Sequence, residues 1–127
     1  MNLVDVERLR AIAELEFPDI VLDTFIPDLN QLRVVLTDGS FVDVWFSLKL
    51  AARYSYHWER RAIDGTIYRH DNAPHGRWQA LASFPRHFHD GSETRVAESD
   101  ISQRPEDALR EFLTFVRGKL RTPTGPS

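Results

Sequence analysis

Cysteine is missing from the 127-residue sequence. This excludes a disulfide framework, a zinc ribbon and a thiol nucleophile, and it permits a reducing compartment. Long apolar runs are missing too. No stretch approaches the roughly 18 residues that a membrane helix needs, and Asp5, Glu7, Arg8 and Arg10 interrupt the segment where a signal peptide would carry its apolar core. The expected location is therefore cytoplasmic, with no membrane association. Also absent are a GxxxxGK[ST] phosphate loop, a GxGxxG fingerprint, a GxSxG setting for any serine and a helical HExxH. Nothing singles out a carboxylate pair for sugar chemistry, and no internal repeat is visible.

What remains has an ordinary globular balance, 42% hydrophobic and 28% charged residues, at the length of one domain. The net charge of −3 argues against a protein that coats nucleic acid, but the average conceals a division. Residues 1–43 carry nine acids and three bases, residues 44–90 seven bases and four acids, and residues 91–127 six of each. The basic middle also holds nine of the fourteen aromatic residues. Cations interleaved with rings suit a single-stranded nucleic-acid surface. The same rings serve equally as core, with the arginines as solvated strand edges.

The hydrophobic period predicts helix, sheet, helix. Leu3, Val6, Leu9, Ile12 and Leu15 recur at helical spacing until Pro18. At the other end Pro105, Glu106 and Asp107 suit a first helical turn, and Leu109, Phe112, Leu113, Val116 and Leu120 form one stripe, with Gly118 weakening only the last turn. Between them the period is two. Asp38-Gly39 turns one hairpin and Asp64-Gly65 a second, and VLDTFI, SFPRHFH and TRVAES are shorter strand candidates. The fold class is α+β: an antiparallel sheet of about five to seven strands, since consecutive hairpins need no helical crossover, flanked by an N-terminal and a C-terminal helix on one face. Residues 1–120 are expected to form a single α+β domain, and RTPTGPS at 121–127, with no apolar residue to bury, a disordered tail.

All five histidines fall between positions 57 and 89. Strand alternation puts His87 and His89 on one face with Arg86 and Phe88 on the other. It sets His57 and Glu59 opposite Tyr54, Tyr56 and Trp58, and the hairpin is expected to bring His70 towards His57. Asp71, Asn72, Pro74, His75 and Gly76 are expected in a loop, where polar groups reach a ligand without disturbing a core.

Three chemistries suit this cluster. Imidazoles two residues apart can ligate one metal ion, with Asp71 or His75 completing the set. Metal-free phosphodiester cleavage is the second: one imidazole takes the proton of a ribose 2′-hydroxyl, another acid protonates the leaving 5′-oxygen, and Arg69, Arg77 and Arg86, which flank histidines, hold the phosphate charge. The third is an ordinary polar face used for binding.

The ordered blocks YSYHW, RHDNAPH and FPRHFHDG, followed by a short strand and an amphipathic helix, resemble the TumE-type toxins of prokaryotic toxin–antitoxin modules over about residues 20–118. The family pattern falls on Tyr54, Tyr56 and His57, on Asp71, Asn72, Ala73, Pro74 and His75, and on Phe84, Pro85, His87 and His89. It departs at His70, where tryptophan is frequent, and at Gly76, where a second histidine is frequent. The resemblance implies a toxin paired with a small DNA-binding antitoxin. Combined with the residue chemistry, the expectation is a metal-independent endoribonuclease without cofactor. His57, His75, His87, His89 and Asp71 are its catalytic set, and Tyr56, Asn72, Arg69 and Arg86 contact substrate. The alternative is a non-enzymatic module that docks on RNA or protein. Expected partners are the cognate antitoxin and an RNA substrate; homo-oligomerisation is left open.

Overall fold

A computed structural model describes residues 2–122, so the rest of the expected tail, from residue 123, lies outside the described residues. Seven strands form one antiparallel sheet in sequence order: β1 Val21–Phe25, β2 Gln31–Leu36, β3 Phe41–Phe46, β4 Tyr54–Arg60, β5 Thr66–Asp71, β6 His87–Asp90 and β7 Val96–Glu98. Helix α1 (Val6–Glu16) precedes the sheet, and α3 (Pro105–Arg121) follows it. The architecture is the expected α+β class, at the upper end of the expected strand number. A four-residue helical turn, α2 (Arg61–Asp64), makes the β4–β5 connection, closed by Gly65 at φ +80°. That left-handed conformation is one glycine adopts without a Cβ penalty.

Alternation divides the sheet into two faces with different work. Leu32, Val34, Leu36, Val42, Val44, Phe46, Tyr54, Tyr56, Trp58 and Tyr68 form one core with Leu9, Ile12 and Ala13 of α1 and Ala108, Leu109, Phe112, Leu113 and Val116 of α3. Most of the aromatic residues of the basic middle are thus core. Trp58, fully buried, satisfies its indole N–H with Ser40 Oγ at 2.9 Å, which removes the cost of burying that donor.

Helix α1 starts later than the expected stripe, after Asp5, and α3 starts where its proline and acids predict. Asp5 caps α1 by accepting the Arg8 N–H at 3.0 Å, and Pro105 opens α3 ahead of Glu106 and Asp107. The α1 stripe is narrower than its spacing predicts: Leu15 is 77% exposed, Leu3, 64% exposed, precedes the helix, and the buried positions are Leu9, Ile12 and Ala13. Helix α3 runs through Gly118 to Arg121, one residue into the expected tail. There the Arg121 guanidinium donates to Asp19 at 2.6 Å, beside Arg117 at 2.7 Å.

The opposite face carries polar rows that cross the strands in register. One runs Phe25, Arg33, Asp43, His57, Arg69, His89, Val96, and the adjacent row runs Gln31, Trp45, Ser55, Asp71, His87, Glu98. Towards β1 this face is a groove of about 840 Å³ lined by Phe25, Val35, Phe41, Trp45 and the Arg33–Asp43 pair. Towards β6 it becomes a smaller, polar pocket.

Candidate functional site

The polar pocket, of about 300 Å³, is lined by Arg69, Asp71, Ala73, His75, Arg77, Trp78, His87, His89, Glu93 and Thr94. Sheet register assembles its floor. Asp71 stands directly across from His87, and Arg69 directly across from His89. Facing residues on neighbouring strands have Cβ atoms about 4.5–5.5 Å apart, so four chemically active side chains are forced together by two cross-strand pairs. The segment between β5 and β6 then supplies His75, Arg77 and Trp78 from the short 3₁₀ turn Gly76–Trp78.

Asp71 is the hub, and it terminates β5 instead of lying in the expected loop. Oδ1 accepts the Ala73 N–H at 3.1 Å and faces His87 Nε2 at 2.9 Å as an ion-pair contact. Oδ2 accepts from Arg69 Nε at 2.9 Å and faces His89 Nε2 at 3.6 Å, an ion-pair distance rather than a hydrogen bond. Burial by itself would raise the carboxyl. The His89 and Arg69 side chains, the charge of His87 and the Ala73 N–H outweigh it and hold the group down at about 2.

The two strand histidines are pinned in one way. His87 donates from Nδ1 to Pro85 O at 2.9 Å, and His89 from Nδ1 to Glu93 O at 2.9 Å. Since a carbonyl only accepts, Nδ1 carries a proton in both rings, and Nε2 is the nitrogen turned to Asp71. Both rings are almost fully buried, at 3% and 5% exposure. Trp78 closes over them with ring centroids 6.2 and 6.3 Å away.

His57 lies one strand beyond the pocket lining. Its Nδ1 meets Arg69 Nη1 at 3.3 Å and its Nε2 meets Glu59 at 3.1 Å. It is therefore a neighbour of Arg69, which it helps to orient, and Arg69 is also its register partner. His75 differs from the others: it is exposed, and its Nδ1 accepts the Arg77 N–H at 3.3 Å. Nε2 is thereby left as the nitrogen available to a ligand.

Several expected site residues lie elsewhere. Tyr56 was expected to contact substrate, but it is 2% exposed in the core face against Phe46 and Phe112, and burial raises its hydroxyl far above the ordinary range. Strand alternation sends it to the face opposite His57. His70 pairs with Tyr56 rather than His57, so it too faces the core. There it stacks on Phe88 at 4.3 Å and meets the edge of Phe112, with Nδ1 2.7 Å from Ser99 Oγ. Burial holds its pKa down at about 4. Asn72 serves the chain itself: its Oδ1 accepts the Tyr54 N–H at 2.9 Å and its Nδ2 donates to Ala52 O at 2.7 Å. Arg86 turns away from the pocket, towards the Ile101 carbonyl.

Glu93 and the roof role of Trp78 were not foreseen. Glu93 binds Arg69 with its carboxylate at 2.8 Å and His89 with its carbonyl. It reaches both because the turn at Gly91, φ +92°, folds the chain back beside β6. Its four-residue spacing from His89 across a glycine was the available signal.

A family model described as toxin TumE matches residues 8–120. Neither the curated proteins nor the solved structures contain a match.

Proposed function

The chain belongs to the TumE toxin family, and we propose that this toxin acts by cleaving RNA in the histidine pocket, without a metal. Membership implies a toxin–antitoxin module and an antitoxin partner; the chemistry is our reading. One observation carries it: a pocket of single-nucleotide scale in which a free imidazole nitrogen, two strand imidazoles and two guanidiniums converge beneath an indole.

The roles follow from which atoms are already engaged. His75 Nε2 is the general base that takes the 2′-hydroxyl proton. The 2′-oxygen attacks phosphorus, the bond to the 5′-oxygen breaks, and His89 Nε2, held loosely at 3.6 Å from Asp71, donates the proton that the leaving oxygen needs. The products are a 2′,3′-cyclic phosphate and a 5′-hydroxyl. Arg77 takes the phosphate charge, Arg69, already bound to Asp71 and Glu93, holds Asp71 in place, Trp78 offers a face to a base, and Asp71 and His87 position the acid. A cytoplasmic setting supplies the RNA.

The non-enzymatic alternative, docking on RNA or protein, draws on a different observation: both ring nitrogens of His57 and of His87 are engaged within the chain. Mass spectrometry of RNA ends after brief expression decides between them. New cyclic phosphate ends are expected, and intact RNA in intoxicated cells overturns the cleavage reading.

A further inference from the structure

Because Pro85 O and Glu93 O fix the Nδ1 protons, a neutral His87 or His89 presents an Nε2 lone pair to the Asp71 carboxylate. Three electron-rich groups then face one another, and one donor atom from each lies within 4.8 Å of the others. Such a trio is satisfied either by further protons or by a cation. Zinc binds imidazole and carboxylate at about 2.0–2.2 Å, which places tetrahedral donors roughly 3.4 Å apart. The His87 Nε2–Asp71 Oδ1 and His89 Nε2–Asp71 Oδ2 separations of 2.9 and 3.6 Å lie on either side of that length, one histidine against each carboxylate oxygen, so a small rotation of the carboxylate suffices to present one oxygen with both imidazoles.

We propose that Asp71, His87 and His89 form a binding site for one divalent ion of the zinc class, and that the ion competes with RNA cleavage instead of driving it. Two imidazoles and one carboxylate suit zinc, nickel or cobalt better than magnesium or calcium, which prefer oxygen alone. The carbonyl bonds to Nδ1 are the outer-shell support that fixes tautomer and ring direction in metal sites. Both histidines are already buried and ordered, so little side-chain freedom remains to be lost. Arg69 stands 2.9 Å from Asp71, but Glu93 takes its guanidinium at 2.8 Å and offsets its charge. The competition rests on the function proposed above, because a bound ion occupies the Nε2 that His89 needs for proton transfer. The binding does not rest on it.

The test uses the full chain without a histidine tag, stripped by chelator and titrated with zinc, and separately with magnesium. One equivalent of zinc is expected to bind and raise the melting temperature, magnesium to do neither, and cobalt to give visible absorption displaced by zinc. His89→Gln and Asp71→Asn should each weaken zinc binding at least roughly tenfold. Should those variants not fold, imidazole ¹⁵N spectra of the native chain serve instead. Zinc must shift His87 and His89, and shifts confined to His57 or His75 overturn the site. Absence of zinc binding to the folded chain also overturns it, leaving the cleavage proposal intact. Cleavage by the stripped protein that one equivalent of zinc abolishes supports the competition. Cleavage only with zinc overturns both the competition and the metal-free mechanism. One bound zinc with no cleavage under any condition upholds the site and overturns the RNA reading.

Discussion

At the scale of single residues, the histidines separate by what already holds their nitrogens. His75 has a free Nε2, so His75→Ala should lower cleavage by about 10² to 10⁴, the usual contribution of general acid–base catalysis, with melting temperature nearly unchanged because the residue is exposed. His89→Ala should lose a similar factor together with stability. Cleavage assays beside thermal melts separate the two, and undiminished cleavage in a folded His75→Ala removes that residue from the mechanism. His70 makes a prediction of another kind. Its folded pKa is about 4 because burial disfavours the cation. Below the ordinary value near 6.5 the unfolded state takes up a proton that the folded state refuses. Stability is therefore complete above about pH 6.5 and falls as pH drops to about 4, by on the order of 3 kcal/mol. Denaturant titrations at pH 7 and 4.5 should show the loss, and His70→Phe should remove much of it, since the slot between Phe88 and Phe112 accepts a ring. Asp71 acts lower. Its carboxyl, held down at about 2, contributes on the order of 2 kcal/mol that is present above about pH 4 and lost as pH falls through 2.

At the scale of elements, helix α3 and the loop after β5 hold the site from opposite sides of the sheet. Phe112 is buried against Tyr56, His70 and Phe115, so Phe112→Ala should cost about 3–5 kcal/mol through lost burial and a cavity, read as a lower denaturation midpoint. Asn72 joins the end of β5 to the chain entering β4. Asn72→Ala leaves the Tyr54 N–H without its partner, at a cost of about 1–3 kcal/mol. Because Asp71 is its neighbour, cleavage should fall more than stability explains. Amide exchange at Tyr54 measures the first effect, and kcat/KM the second.

For the whole molecule, the acidic N-terminal third is partly neutralised within the fold. Arg110 forms a two-bond pair with Glu16 at 2.9 Å, and Arg117 and Arg121 converge on Asp19. Exposed pairs of this kind contribute little stability, but they join α3 to the end of α1 and to the turn that follows it. The antitoxin that family membership implies should co-purify with a tagged chain expressed from its native operon. A chain that emerges alone and harmless would contradict the toxin assignment.

Local pattern sufficed for much of this. Period-two runs bounded by Asp38-Gly39 and Asp64-Gly65 determined the strands and their hairpin order, proline and acidic residues determined where α3 begins, and alternation determined that His87 and His89 share a face and that His57 opposes Trp58. These properties depend only on neighbours along the chain. Register is different, because it relates residues far apart in sequence and a shift of one position reverses every side chain. Only the folded sheet set Asp71 across from His87, turned His70 and Tyr56 into the core, and brought Glu93 to Arg69. Which histidine keeps a free nitrogen was decided there as well, since it is the path of the backbone that aims the carbonyls of Pro85 and Glu93 at their imidazoles, and the short spacings along the chain permit those contacts without requiring them.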